Sequence, residues 1–325
     1  MPPTVGTSLK PVRPMPVPKT LPTIGQANFT RDLDLSQNEL VALLDLARQV
    51  KEGPARFAQS LKGQYLSLLF EKPSLRTRLT FELAIKQLGG DSVLTTGPIV
   101  DREPLKDVAR NLDRWTNGIV ARTFSQQTID ELARWSGVPV INALSDRFHP
   151  CQVLADIFTL QEHLGDLAGK KLAFVGDCYN VAHSLLVSAP RMGMHLSIAT
   201  PEGYGPDAEI AAQAEALAAI SGAKLSITND PLEAVSDAQA VYTDVWASMG
   251  HEHEQEKRLA DFARFQVNRE LLAQASDDAI FLHCLPAKRG QEVTDEVIES
   301  DQSVVFDQAE NRLHVQKALL LMLIG

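Results

Sequence analysis

The sequence is poor in cysteine, with only Cys151, Cys178 and Cys284 in 325 residues. The count is odd, the three lie far apart, and no CxxC pair occurs. That speaks against a disulfide framework and a structural zinc site, and it suits a reducing compartment, the cytoplasm. Long apolar runs are also missing. The longest, residues 318–324, closes an amphipathic helix and is far shorter than the roughly 20 residues of a membrane span. Positive charge is scarce: 31 Lys and Arg stand against 41 Asp and Glu, for a net charge of -10. Nucleic acid and anionic membranes need a field of the opposite sign, so neither is expected as a partner. A local cluster of arginines around a small anion remains compatible with an acidic protein. No repeat of solenoid period is present. The first 26 residues hold no acid; Lys10, Arg13 and Lys19 stand among prolines. They show neither the apolar stretch of a secretory signal nor the Arg- and Ser-rich pattern of a presequence, and read as an extended tail.

What is present is ordinary globular material, 44% hydrophobic and 22% charged, in a chain long enough for two domains. Ser36 followed by Glu39 predicts a capping box, with Leu40, Leu43, Leu44 and Ala47 at helical spacing behind it. Short apolar runs predict strands at 65–70, 119–124, 138–142, 171–175, 196–200, 224–228, 238–243 and 279–283. Helices are expected at 78–88, stopping at Gly89-Gly90, at 151–164, from about 181, and from about 310 to 323. Alternating strands and helices imply an α/β protein: two doubly wound parallel-sheet domains linked by helices. The expected division is a tail at 1–26, a first domain at 27–164 ending in a linking helix, a second at 165–306, and a helix at 307–325 that packs back on the first. Ligands in such sheets sit beyond the carboxyl ends of strands.

Several segments at such places carry chemistry. Residues 70–78 include Ser74, Leu75, Arg76 and Thr77 at a strand-to-helix junction. Free N–H groups, hydroxyls and a planar guanidinium there suit a phosphate. The plain alternative is a helix start capped by Ser74. Arg122 stands at a strand's carboxyl end, either facing a ligand or in a surface salt bridge. His149 precedes Pro150, and either donates to a developing oxyanion or caps its helix. Gly176-Asp177-Cys178-Tyr179-Asn180 opens like a dinucleotide fold, but Cys178 and Tyr179 replace the glycines that admit a pyrophosphate, so NAD and FAD are not expected. Asn180 remains available to a polar ligand. Asp244 follows another strand and can hold an ammonium. The His251-Glu252-His253-Glu254 run is no metal site, because His at i, i+2 do not share a helix face. Cys284, in His283-Cys284-Leu285-Pro286, is a nucleophile, a hydrogen-bond partner or a packed thiol. Arg312 heads the last helix.

In order and spacing, SLRTR, ARTF, HPCQ, DVWASMG, HCLP and AENR resemble the aspartate/ornithine carbamoyltransferase family. The resemblance runs from about Asn28 to Gly325, and DVWASMG with HCLP points to ornithine as the acceptor. It implies transfer of a carbamoyl group from carbamoyl phosphate to ornithine, without cofactor or metal. Carbamoyl phosphate would be bound in the first domain and ornithine in the second. Ser74, Leu75 (through its N–H), Arg76 and Thr77 would hold the phosphate. Arg122 would bridge phosphate and carbamoyl oxygen, His149 would face that oxygen, and Gln152 the carbamoyl amide. Asn180, Asp244, Ser248 and Met249 would hold the amino-acid end of ornithine. Cys284, the Leu285 carbonyl and Arg312 would line the point of reaction. A homotrimer or a multiple of trimers is implied as well. Three departures stand out: residues 95–104 are short and lack glutamine, Cys178-Tyr179 replaces a frequent Gly-Asn, and the N-terminal extension is unusual. A carbamoyltransferase for putrescine or an N-acylated ornithine is the alternative within the class. A non-catalytic anion-binding homologue is the alternative outside it, although Arg76, Arg122, His149, Cys284 and Arg312 are all retained.

Overall fold

The computed structural model describes residues 21–99, 103–247 and 254–325. The expected capping box forms: Ser36 accepts from the Glu39 N–H and the Glu39 carboxylate accepts from the Ser36 N–H, opening α1, Gln37–Glu52. The first sheet contains β1 (Tyr65–Phe70), β2 (Asp91–Thr96), β3 (Gly118–Arg122) and β4 (Val140–Leu144), in the order β2-β1-β3-β4 and parallel throughout. Helices α2 (Leu75–Gln87), α3 (Leu105–Trp115) and α4 (Gln126–Trp135) connect these strands. Gly89 ends α2 with a φ of 95°, and a side chain there would meet the Ala58 carbonyl oxygen at 2.9 Å, so only glycine fits.

Helix α5, Pro150–Leu164, leads to the second sheet. Every residue from Pro150 to Leu160 is buried, which is why its pattern is apolar nearly all round. The second sheet contains β5 (Lys171–Val175), β6 (His195–Ala199), β7 (Leu225–Thr228), β8 (Ala240–Thr243) and β9 (Ile280–His283). Its order is β7-β6-β5-β8-β9, again all parallel. Around it run α6 (Asn180–Arg191), α7 (Ala208–Ser221), α8 (Pro231–Val235), α9 (Gln255–Asp261), α10 (Arg269–Leu272) and α11 (Asp295–Ile298). The chain therefore consists of two parallel-sheet α/β domains, the expected class. The closing helix α12, Val305–Ile324, packs on α5, α1 and α2.

Two elements differ from expectation. The strand β2 has no apolar run because it is an edge strand with its residues largely in solvent. Helix α12 begins five residues before the expected start, without a side-chain cap, and its first turn buries Val305 and Gln308 instead. Residues 21–26, inside the stretch read as a tail, lie against the fold: Leu21 and Ile24 pack on the core, and the Ile24 N–H donates to the Met322 carbonyl. No helix among the described residues is long and apolar enough to cross a membrane.

Candidate active site

The topology decides where side chains converge. In the first sheet the order reverses between β1 and β3, and in the second between β5 and β8; crevices form at such switch points. Phe70 pairs with Arg122, so the loop entering α2 and the end of β3 emerge level. The β3–β4 register shifts between Ala121 and Arg122, an irregularity of the kind that re-aims a side chain. In the second sheet Thr243 pairs with Val175 on one side and His283 on the other. Gly176, Asp244 and Cys284 therefore leave three adjacent strands side by side.

Between these ends lies a cavity of about 520 Å³. It is lined by Ser74, Leu75, Arg76, Thr77, Arg122, His149, Asn180, Asp244, Cys284, Leu285 and Arg312. Of the other expected site residues, Gln152 is fully buried and is not on the wall. Ser248 and Met249 lie outside the described residues, as do His251 and His253.

One end of the cavity is cationic. Ser74 caps α2 by accepting from the Thr77 N–H at 3.3 Å, so the plain reading of this segment holds alongside the clustering. The Thr77 hydroxyl oxygen accepts from Arg312 Nη2 at 2.7 Å and from Arg122 Nη1 at 3.4 Å. Arg122 is drawn in from the surface rather than left on it. Burial first, then the neighbouring Arg312 and Arg76, together push Arg122 down to about 10. Burial also lowers Arg76 and Arg312. All three remain cationic at neutral pH, and their mutual repulsion is relieved by an anion placed among them.

His149 does not cap α5 with its side chain. Its backbone N–H donates to the Ser184 hydroxyl at 3.0 Å, and its ring Nδ1 is buried with no partner among the described residues. Burial, then Arg312 and Arg122, hold the ring well below the ordinary 6.5. It is a neutral imidazole, able to donate a proton-bearing nitrogen to a ligand oxygen.

The opposite end is built from β8 and β9. The Cys284 thiol donates to Asp244 Oδ1 at 3.0 Å. Burial and the Asp244 charge keep that thiol protonated, well above its usual range, while burial raises Asp244. Of the three roles open to Cys284, hydrogen-bond partner fits this geometry and thiolate nucleophile does not. Leu285 sits at φ 57°, in the left-handed region that a leucine rarely adopts. Its N–H donates to His283 Nδ1 at 2.9 Å, so Nε2 carries the ring proton and faces Glu292 at 3.1 Å. Asp244, His283 and Cys284 place ligand atoms within 4.8 Å of one another. His283 has no ring nitrogen to spare, so the trio is ill suited to a metal. Asn180 donates to the Ser145 carbonyl at 2.7 Å, tying α6 to the turn before His149.

The cavity wall also holds Lys72, Phe124, Ser145, Tyr179 and Lys288, which the sequence reading did not select. Most lie in loops following strands, and position rather than residue type is the signal that finds them. A wider depression of about 730 Å³ borders Asp177, Tyr204, Lys257 and Arg258. Its charges already meet one another, with Arg258 on Asp177 at 2.6 Å and on Glu254 at 2.8 Å.

Two family models cover nearly all of the chain. "Aspartate/ornithine carbamoyltransferase, carbamoyl-P binding domain" matches residues 27–162, and "Aspartate/ornithine carbamoyltransferase, Asp/Orn binding domain" matches residues 168–323. The ornithine carbamoyltransferase of Thermus thermophilus is 52% identical over 289 residues, spanning 88% of this chain and 93% of that protein. A solved ornithine carbamoyltransferase from Pyrococcus furiosus matches with a TM-score of 0.89 and 44% identity, over 92% of this chain and 97% of that one. An acetylornithine transcarbamylase complexed with acetylcitrulline is further away in sequence, at 34% identity and a TM-score of 0.84, covering 92% and 99%. The chain belongs to the aspartate/ornithine carbamoyltransferase family.

Proposed function

We propose that the protein transfers the carbamoyl group of carbamoyl phosphate to the side-chain amine of L-ornithine, giving L-citrulline and phosphate. The observation that carries this reading is the two-ended cavity. Three arginines and a helix N-terminus stand at one end, and an Asp244–Cys284 pair at the other. Phosphate fits the cationic end, with Ser74, the Leu75 N–H, Arg76 and Thr77 as its holders. Arg122 and His149 then meet the carbamoyl oxygen, Gln152 the carbamoyl amide, and Arg312 spans the centre. Asn180, Asp244, Ser248 and Met249 take the amino-acid end of ornithine, with Cys284 and the Leu285 carbonyl beside the reacting amine. In domain terms, residues 27–164 carry carbamoyl phosphate, residues 165–306 carry ornithine, and residues 307–325 return to the first domain.

The chemistry needs no cofactor. A lysine-like amine has a pKa of about 10.4, so the site must select or make the neutral form. Asp244 and Cys284 are placed to influence that proton. The amine nitrogen attacks the carbonyl carbon and a C–N bond forms. Negative charge develops on the carbonyl oxygen, which Arg76, Arg122, Thr77 and neutral His149 stabilise. The C–O bond to phosphate then breaks, phosphate leaves with the electron pair, and the proton lost by the nitrogen ends on the departing phosphate. Alignment of the two substrates supplies much of the remaining acceleration.

We also propose a homotrimer in the cytoplasm. Leu75, Leu79 and Leu83 form one stripe on α2 and are 71%, 43% and 44% exposed, an apolar face suited to a second copy. Leu75 also lines the cavity, so a subunit border there lies beside the site. The three free thiols agree with a reducing compartment. The activity is tested by following citrulline formation from carbamoyl phosphate with ornithine, and in parallel with putrescine, aspartate and N-acetylornithine. Turnover with ornithine far above the rest is expected. Preference for another amine would remove the ornithine assignment, and absence of turnover with all four would leave a non-catalytic binder.

A further inference from the structure

An amide side chain has two unlike ends, and the end that faces a ligand decides what is recognised. Gln152 lies one turn beyond His149 on the same face of α5 and is fully buried. Its Nε2 donates to Asp156 Oδ1 at 2.8 Å. Its Oε1 is buried and has no partner among the described residues. The same Asp156 oxygen takes a second N–H, from Gln308 Nε2 on α12, at 2.6 Å. Gln308 is itself held in place: its Nε2 lies 3.1 Å from the Tyr242 hydroxyl on β8, and its Oε1 accepts from the His283 N–H at 2.9 Å. Asp156, Tyr242 and Gln308 are all fully buried.

An ionised carboxylate only accepts hydrogen bonds. Turning the Gln152 amide over would set its oxygen against that carboxylate, so while Asp156 is ionised Nε2 faces it and Oε1 faces away. A buried acceptor with nothing to accept is costly, and an N–H from a ligand removes the cost. A carbamoyl group presents such an N–H; an acetyl group in its place presents a methyl.

We infer that Asp156 is a positioning residue that fixes the Gln152 amide with its oxygen toward the carbamoyl –NH2, and so makes the site prefer carbamoyl over acetyl phosphates. The inference rests on the carbamoyl-phosphate reading of the cavity. Tyr242 and Gln308 carry the same constraint to β8 and α12, next to Asp244 and Arg312.

The test is calorimetric binding of two stable phosphonates, phosphonoacetamide and acetonylphosphonate, with inorganic phosphate as a third ligand. They differ only in –NH2 against –CH3. The titrations are run above about 7, where Asp156 is ionised. Wild type should bind the amide about tenfold or more tightly than the ketone. Asp156→Leu should bring that ratio close to one while leaving phosphate and the ketone nearly unchanged, and Asp156→Asn, which still accepts, should keep most of the preference. An unchanged ratio in Asp156→Leu, or equal weakening of all three ligands, would overturn the inference, the second by showing a merely structural role. A wild type that binds all three without preferring the amide overturns it too, while leaving the phosphate site intact. A wild type that binds none removes the carbamoyl-phosphate reading itself. A second measurement needs no variant: the Gln152 side-chain NH2 resonances of wild type should shift as Asp156 titrates near about 7. Resonances that stay flat through that range contradict the link.

Discussion

At Cys284 the sequence leaves three readings and the geometry separates them. A thiol that donates to Asp244 at 3.0 Å is replaceable by a hydroxyl, whereas a nucleophile is not. Cys284→Ser is therefore expected to keep turnover within about tenfold of wild type, and Cys284→Ala to lose more. Trapping of a covalent enzyme intermediate on Cys284 would contradict this. In the proposed reaction Arg122 meets charge that develops on the carbonyl oxygen, so Arg122→Ala should lower kcat/KM by about 100- to 1000-fold without unfolding the chain. An unperturbed circular dichroism spectrum with near-normal turnover would show Arg122 to be peripheral. His149 is held neutral by burial and two arginines, so it contributes no titration near its ordinary 6.5. The pH dependence of kcat/KM for ornithine should then carry no histidine limb: between roughly pH 6 and 8 it should rise with the neutral amine, about tenfold per pH unit, modified only as Asp156 titrates near about 7. A limb near the ordinary histidine range that persists in Asp156→Leu would indicate that His149 ionises.

At the scale of elements, α6 is clamped to the segment before α1 by a buried polar group. Asp32 accepts from Ser184 at 2.7 Å and from Ser188 at 3.1 Å, while Arg191 reaches the Asp32 and Leu35 carbonyls. Ser184 in turn receives the His149 N–H, so this clamp ends at a cavity-wall residue. Burial raises Asp32 from 3.8 to about 6, with the two serines and Arg191 pulling the other way. The folded value lies above the unfolded one, so folding is favoured by protonation and the native state loses stability as pH rises between those values. The loss is on the order of 3 kcal/mol once pH exceeds about 6. Asp32→Asn removes the ionisation and is expected to gain in Tm over wild type on moving from about pH 4 to pH 8. A Tm difference that is constant across that range would show that Asp32 does not titrate as described.

Elements also show what was legible beforehand. The strands β1 and β5 are apolar runs with their bounds visible in sequence, because both faces of each are covered. Ten of the residues picked from the six motifs line one cavity, and Asn180, from the loop after β5, joins them. Edge strand β2 was hidden by its exposed residues. The Gln152–Asp156–Gln308–Tyr242 cluster was hidden for another reason: its members come from α5, α12 and β8, and no local pattern relates positions 152 residues apart. The same holds for the hydrogen bond from Arg312 to Thr77, which spans 235 residues.

For the whole molecule, the exposed leucine stripe on α2 is the feature that a lone chain leaves unexplained. Light scattering is expected to give a mass near three times 35.6 kDa, and Leu79→Glu to shift it toward a single chain. A wild-type monomer at micromolar concentration with full turnover would remove the trimer. The most direct test of carbamoyl transfer is the fate of the carbonyl carbon. Carbamoyl phosphate labelled at that carbon, incubated with ornithine and the protein, should give citrulline labelled in its side-chain ureido carbon, with one phosphate released for each citrulline. Phosphate release that does not depend on ornithine, with the label in bicarbonate and none in citrulline, would contradict it.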